Sequence, residues 1–140
     1  MSKKILFLCT GNSCRSQMAE GWMRRLSAGR YAVDSAGLEA HGKNPRAIAV
    51  MKDAGVDISE QASTVVNDDM LHASDLIVTV CGHADEHCPS LPAGCDKIHM
   101  PFDDPAKAQG DEDQIMAEFC RVRDEIKQSI HHLIADLDRQ

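Results

Sequence analysis

A chain of 140 residues, 43% hydrophobic and 26% charged, is long enough for one core and has an ordinary globular composition. Its formal net charge of -7 argues against nucleic-acid and anionic-membrane partners, which need a basic face. The apolar run over residues 5–8 is too short for a secretion signal, and no later stretch reaches the length of a membrane span. We therefore expect a single cytoplasmic domain over residues 1–140, without a membrane segment, and we expect a monomer.

Cysteine is frequent for a protein of a reducing compartment. A secreted disulfide scaffold would also have an even number of cysteines, but this chain has no export signal and has a full-sized core. In a cytosolic protein, such usage indicates catalysis, redox exchange or metal binding. The six cysteines stand at positions 9, 14, 81, 88, 95 and 120.

The first half of the chain predicts strands that alternate with helices. An apolar run without alternation is typical of a strand buried on both faces, and an Asn-Pro pair is a good helix start. The predicted elements are a strand from Lys4 to Cys9, a turn over 10–14, a helix from Ser16, a strand from Tyr31 to Ser35 that ends at Gly37, and a helix between Pro45 and Gly55.

The second half continues this alternation and ends in a long amphipathic helix. Strands that alternate with helices predict an α/β fold, here a four-stranded parallel sheet with right-handed crossovers. The predicted elements are a short helix from Asp68 to Ala73, a strand from Asp75 to Val80, an irregular segment over 82–96, a strand from Lys97 to Phe102 and a helix from Asp111. The apolar face of the last helix is predicted to contain Ile115, Phe119, Val122, Ile126, Ile130, Leu133 and Leu137.

The most informative motif is Cys-x5-Arg, which runs from Cys9 to Arg15 between a buried strand and a helix N-terminus. A short glycine-containing loop in that position can aim successive backbone N–H groups at an anion. Those dipoles and the Arg15 guanidinium favour thiolate over thiol, so we expect Cys9 to be a nucleophile of low pKa. Arg15 offers a planar fork to two oxygens of a tetrahedral oxyanion, and Ser16 can donate its hydroxyl to the sulfur. The expected anion-binding residues are Thr10, Gly11, Asn12, Ser13, Cys14 and Arg15.

The alternative interpretation of this motif is a strand-to-helix turn with a buried cysteine. A carboxylate in the later segment Phe102-Asp103-Asp104-Pro105 can protonate a leaving oxygen if the fold returns it to Cys9. Without the first motif, Asp-Asp-Pro would be read as an ordinary turn or helix start.

A second motif consists of Cys81, at the end of the strongest predicted strand, and Cys88, seven residues later. Ligand sites of open α/β sheets lie beyond the carboxyl ends of strands, so Cys9 and Cys81 can face one crevice. If their strands are adjacent, the two thiols come within disulfide range, and Cys88 can then attack Cys81 if its segment is mobile. Two incidental cysteines remain an alternative.

Metal binding is a further interpretation of the same region. Its potential zinc ligands are Cys81, His83, His87 and Cys88, with Cys95 and His99 nearby, but their spacing does not form a compact Cys-x2-Cys pair. Cys95 and Cys120 have no evident partners, and we expect Cys120 on the surface of the last helix, away from its apolar face.

The segment from Cys9 to Trp22 resembles the active-site loop and first helix of thioredoxin-coupled arsenate reductases. Further matches follow in the same order and span nearly the whole chain. They are Ser35-Ala-Gly, Glu39-Ala-His-Gly-x-Asn-Pro45, Cys81 with Cys88, Phe102-Asp-Asp-Pro-Ala and Arg121-Val-Arg-Asp-Glu-Ile126. The resemblance implies a four-stranded parallel sheet flanked by helices, shared with low-molecular-weight tyrosine phosphatases, and a role in arsenic detoxification.

The resemblance also implies a three-cysteine relay. Cys9 attacks arsenate that is held by the loop and Arg15, while Asp104 protonates the departing oxygen. Cys81 then attacks Cys9, which releases arsenite and leaves a Cys9–Cys81 disulfide. Cys88 attacks Cys81, and thioredoxin reduces the resulting Cys81–Cys88 disulfide. Two electrons reduce arsenate, and a dithiol supplies two.

This cycle requires no cofactor, although some family members hold a potassium ion beside the loop. The residues that match that site are Asn12, Glu20 and Ser35, but Thr64 stands where those members have an acid. We therefore expect at most a weak potassium site.

Three rivals remain. A tyrosine phosphatase would use Cys9, Arg15 and Asp104, but Ala106-Lys107 stand where such enzymes have substrate-binding aromatics, so we expect only weak phosphatase activity. A metal or arsenic sensor would use the cluster over 81–99 and would not need Cys9. A small thiol in place of thioredoxin would make Cys88 dispensable.

Overall fold

The computed structural model describes residues 3–140, and its centre is the strand β1 (Lys4–Cys9). Residues 5–9 are all buried, as expected of a strand covered on both faces. The strand order is β2-β1-β3-β4, and all three pairings are parallel. The other strands are β2 (Ala32–Gly37), β3 (Leu76–Thr79) and β4 (Asp96–His99). This confirms the predicted four-stranded parallel α/β fold.

Five helices connect or cover the strands. The longest, α5, begins with a capping box in which Asp111 and Gln114 bond reciprocally to each other's backbone N–H, and it packs on α1 and α2. Only Ala47, Val50 and Met51 are buried in α2, in keeping with its amphipathic pattern. The helices are α1 (Arg15–Ser27), α2 (Pro45–Asp53), α3 (Asp68–Ala73), α4 (Gly82–Glu86) and α5 (Glu112–Asp138), with a 3₁₀ turn at Pro105–Lys107.

The structure differs from the sequence-based expectation at three places. Residues 82–96 are not irregular throughout, because α4 forms directly after Cys81. The last strand ends at His99 rather than at Phe102. On α5, Ile134 is buried although it was not predicted, and Ile115 is only half-buried because it lies in the first turn.

No helix within residues 3–140 is long and apolar enough to span a membrane.

Candidate active site

Cys9 and Cys81 meet where two adjacent parallel strands end. β1 pairs with β3, so the residues that follow these strands emerge at the same edge of the sheet. Both cysteines line a crevice of about 540 Å³. Its other walls come from the loop over 10–14, from Arg15 and from Asp104. The structure thus brings together residues that are 95 positions apart in the chain (104 minus 9).

Backbone hydrogen bonds hold the carbonyl groups in and next to the loop over 10–14. The carbonyls of Cys9, Thr10, Gly11 and Ser13 accept hydrogen bonds of 2.8–3.1 Å from the backbone N–H groups of Leu38, Glu39, His41 and Asn44. Within the described chain, the N–H groups of residues 11–14 donate no hydrogen bond. Donors that point away from satisfied carbonyls form an anion nest, so the loop has the form expected of an oxyanion cradle.

Asn12 holds this loop in shape from inside the protein. It is completely buried and has a φ of 48°, a left-handed conformation that asparagine tolerates better than most residues. Its Nδ2 donates to Ser16 Oγ and to Ser35 Oγ, both at 2.9 Å, and its Oδ1 accepts from the N–H of Thr64 at 2.8 Å. Asn12 therefore acts by positioning the loop, with its side chain turned away from the crevice.

Arg15 is oriented by two partners, and its buried Nε is left without one. Its NH1 donates to the carbonyl of Phe102 at 3.1 Å, and its NH2 lies 3.6 Å from Asp104 Oδ2. Its Nε is buried and has no hydrogen-bond partner in residues 3–140. An unpaired buried donor is costly, and an oxyanion in the crevice would satisfy it.

The two thiols at the base of the crevice shift each other's pKa. The neighbouring Cys81 and burial raise the pKa of Cys9, although Arg15 lowers it. The interaction with Cys9 lowers the pKa of Cys81, and contacts with Thr10, the N–H of Ala84 and Arg15 act in the same direction. Thr10 Oγ1 lies 3.3 Å from Cys81 Sγ, and Ala84 N lies 3.4 Å from it.

This arrangement corrects the expectation of a low pKa for Cys9 alone. The interaction moves the pKa of Cys9 up and the pKa of Cys81 down, so the first ionisation belongs to the pair of thiols. The sequence argument treated Cys9 with the nest and Arg15 and left out the neighbouring thiol. Transfer of the Cys9 proton to Cys81 converts Cys9 into the thiolate.

Asp104 lies in the crevice, as expected, whereas Ser16 does not line it. Asp104 lines the crevice, and its Oδ1 accepts from the N–H of Ala106 at 3.0 Å, which caps the 3₁₀ turn. Ser16 is fully buried and accepts from Asn12, while its donation to the Cys9 sulfur stays a prediction. Burial raises the pKa of Cys14 to about 12, so this thiol is inert at neutral pH, in keeping with a packing role.

Cys88 lies outside the crevice lining and is half-buried two residues beyond α4. Burial raises the pKa of its thiol. Cys120 was expected on the surface but is half-buried against the core. All six cysteines are free thiols. In residues 3–140 no group of three or more His, Cys, Asp or Glu side chains could hold a metal ion, so the zinc interpretation gains no support.

The residues of the expected potassium site are brought together, but their polar atoms already have partners. Ser35 Oγ donates to Glu20 Oε1 at 2.6 Å and accepts from Asn12. Arg24 pairs with the other oxygen of Glu20 through NH2 at 2.8 Å. A guanidinium thus supplies the positive charge beside Glu20, and Thr64 contributes its backbone N–H to Asn12 in place of an acid.

Five crevice residues were not predicted as catalytic or anion-binding residues, namely His41, Gly82, His83, Ala106 and Lys107. His41 Nε2 lies 2.7 Å from Glu39 Oε2, and its ring packs so closely on Gly11 that a Cβ there would lie 2.3 Å from Nδ1. The position of His41 beside the loop depends on the bonds between residues 38–44 and the loop carbonyls, which no spacing in the sequence indicates.

Comparison with known proteins places these features in context. Residues 4–140 match the family model of the low molecular weight phosphotyrosine protein phosphatases. A protein of Halalkalibacterium halodurans named arsenate reductase is 53% identical over 131 residues, which cover 93% of this chain and 94% of that protein. An arsenate reductase of Bacillus subtilis is 54% identical over 125 residues, covering 89% of this chain and 90% of the relative.

Solved structures show similarity to the fold of this chain over nearly its whole length. A structure described as an arsenate reductase in the phosphate binding state superposes with a TM-score of 0.77 at 35% identity, covering 96% of this chain and 98% of that one. A second, described as an arsenate reductase in oxidized state, gives 0.79 at 34% identity over the same shares. A tyrosine phosphatase of Erwinia amylovora, at 21% identity and a TM-score of 0.80 over 97% of this chain and 93% of that one, shares the fold.

Proposed function

The chain belongs to the low molecular weight phosphotyrosine protein phosphatase family, and from that premise we propose that it is an arsenate reductase with a three-cysteine relay. The observation that carries the proposal is the Cys9–Cys81 thiol pair inside an oxyanion cradle. A phosphatase of this fold needs one nucleophile in the cradle. A second thiol in the same crevice completes a dithiol, and its oxidation to a disulfide releases the two electrons that reduce arsenate.

In the first step, the proton of Cys9 moves to Cys81, and the Cys9 thiolate attacks arsenic. The nest over 10–14 and the free Nε of Arg15 bind the oxyanion. Asp104 donates a proton to the departing oxygen, which leaves as water, and a Cys9 sulfur–arsenic bond remains. Arg15 is 3.6 Å from Asp104, so both groups act on the same side of the crevice.

The second step transfers the electrons. The sulfur of Cys81 attacks the sulfur of Cys9 and forms a disulfide, and the electron pair of the sulfur–arsenic bond passes to arsenic. Arsenic leaves as arsenite, and the proton of Cys81 passes to an arsenite oxygen. Because Cys9 and Cys81 lie at the ends of adjacent strands and line the same crevice, this step needs no large movement.

The third step does need movement. Cys81 and Cys88 are seven residues apart with α4 between them, which at about 1.5 Å per residue separates their Cα atoms by about 10 Å. A disulfide needs a Cα–Cα distance of about 6 Å, so α4 has to unwind before Cys88 attacks Cys81. Cys9 then leaves as a thiolate, and the Cys81–Cys88 disulfide becomes the form that an external dithiol reduces.

We infer that thioredoxin is this donor, because a dithiol protein reduces an exposed disulfide by the same exchange chemistry. The relay also suits a monomer in the cytoplasm, where the six free cysteines stay reduced. Beyond the donor, the cycle uses no cofactor. The shared cradle also supports weak phosphatase activity on small esters, while Ala106 and Lys107 offer no aromatic wall for a phosphotyrosine ring.

A coupled assay with arsenate, thioredoxin, thioredoxin reductase and NADPH tests this function. Native protein should consume NADPH, and Cys9→Ser, Cys81→Ser and Cys88→Ser should each stop cycling. Cys88→Ser should still release arsenite once per molecule. Cys120→Ser, which changes a thiol outside the crevice, serves as the matched control and should cycle normally. If only Cys9→Ser matters and a phosphate ester is the better substrate, the protein is a phosphatase.

A further inference from the structure

One side chain holds α4 against the edge of the sheet. Asp85 Oδ1 lies 2.8 Å from Lys97 Nζ, 3.2 Å from Thr79 Oγ1 and 4.0 Å from His99 Nδ1. Thr79 is on β3, and the two basic residues are on β4. One carboxylate thus joins a short helix to two strands.

These contacts can all be satisfied at once. Thr79 Oγ1 lies 2.8 Å from His99 Nδ1, so the ring N–H can donate to the hydroxyl while the hydroxyl donates to Asp85. Thr79 is completely buried, so the hydroxyl that joins Asp85 to His99 lies in the protein interior. Lys97 forms an ion pair with the same carboxylate of Asp85.

The rest of α4 contributes little to its own stability. It has five residues, and Ala84 is its only buried residue. Its turn is closed by hydrogen bonds from Asp85 N to Cys81 O and from His87 N to His83 O, both of 3.1 Å. A helix this short is unstable by itself, so contacts to the sheet decide whether it persists.

We propose that Asp85 is a latch that keeps α4 helical and thereby sets the rate of the last thiol exchange. This inference rests on the proposed arsenate reductase function. In that exchange, Cys88 forms a bond to Cys81, the Cys9–Cys81 bond breaks, and Cys9 leaves as a thiolate. Asp85 touches none of the reacting atoms and is therefore a positioning residue for Cys88.

Release of the latch also favours the chemistry of Cys88. Burial and Asp85 raise the pKa of Cys88, while Lys97 lowers it. When Asp85 moves away with the unwinding helix, Lys97 on β4 keeps its charge and loses its carboxylate partner. Unwinding therefore brings Cys88 toward Cys81 and at the same time removes a negative charge from its surroundings.

Amide hydrogen–deuterium exchange of the reduced protein, without arsenate, tests the latch directly. We expect the amides of α4 to exchange roughly two- to fivefold faster in Asp85→Asn and in Lys97→Gln than in native protein. Lys97→Gln keeps the acid in the first turn of α4, so it separates the latch from the helix dipole. Glu86→Gln removes an exposed carboxylate from the same helix without a hydrogen bond or ion pair among the described residues, and it should leave exchange unchanged.

Single-turnover experiments test the role in the relay. Arsenite release and Cys81–Cys88 disulfide formation are timed separately by quenching with an alkylating reagent and mapping peptides by mass spectrometry. In Asp85→Asn, the rate of Cys81–Cys88 disulfide formation divided by the rate of arsenite release should rise roughly two- to fivefold. Unchanged α4 exchange in both latch variants, or faster exchange without a higher ratio, would overturn the inference. Absence of arsenite release from native protein would instead refute the proposed function, and the exchange data would still decide whether the latch exists.

Discussion

Thr10 offers a direct test of the coupled ionisation of Cys9 and Cys81 at the base of the crevice. Its hydroxyl lies 3.3 Å from the Cys81 sulfur and is one of the contacts that lower the pKa of Cys81, after that of Cys9 itself. Thr10→Val keeps the shape of the side chain and removes the hydrogen bond. A hydrogen bond to a charged group contributes about 1.5 kcal/mol, which corresponds to about one pKa unit.

The expected result is a rise of about one unit in the pH at which the pair first ionises. The rate of alkylation of Cys81 by iodoacetamide, followed by mass spectrometry across pH, measures this midpoint. Ser63→Ala, which removes a hydroxyl that bonds to the Asn12 carbonyl behind the loop, is the matched control and should leave the midpoint in place. An unchanged midpoint in Thr10→Val, or a downward shift, would refute the assignment of the first negative charge to Cys81.

Three further predictions test the cradle and its support. Arg15→Lys keeps the charge but loses the planar fork, so kcat/KM for arsenate should fall about 10²-fold or more in steady-state assays, while a fall below tenfold would contradict the role of Nε. Gly37→Ala places a Cβ 2.2 Å from the Glu39 carbonyl, so denaturant unfolding should report a loss of about 1–3 kcal/mol; unchanged stability would contradict this packing. Burial raises the pKa of Cys14 from the ordinary thiol value near 9 to about 12. The stabilisation that this thiol contributes is therefore fully present below pH 9 and is lost as pH rises toward 12. Cys14→Ala should therefore flatten the decline of unfolding free energy over that window by up to about 1.4 kcal/mol per pH unit, and an equally steep decline would contradict it.

The parts of the site that the sequence predicts are those set by local pattern. The apolar run before Cys9 predicts a buried strand, and the Gly-Asn pair after it predicts a tight loop. Because parallel strands end at one edge of a sheet, the ends of two buried strands also predict that Cys9 and Cys81 face each other, which their pairing allows.

The unpredicted parts depend on distances between remote groups. Residues 82–86 show no apolar stripe, and α4 exists because Cys81 caps it and Asp85 bonds to two strands, so a periodicity argument cannot find it. The opposite pKa shifts of Cys9 and Cys81 likewise depend on two thiols that are remote in the chain and neighbours in the fold. His41 joins the crevice through backbone bonds between residues 38–44 and the loop, which leave no signal in residue spacing.

The two ends of α4 connect the chemistry of the relay to its motion. Cys81 is the residue before the first turn, and its sulfur accepts the N–H of Ala84 at 3.4 Å, an interaction that is strongest when the sulfur is negatively charged. In the proposed cycle, attack on Cys9 turns this sulfur into a neutral disulfide sulfur and weakens the cap. The Asp85 latch is then the main remaining restraint on a helix whose N-terminal cap has been weakened. In the proposed cycle the order of the relay thus follows from the fold, since the cap of α4 is weakened only when Cys81 forms the disulfide that releases arsenite.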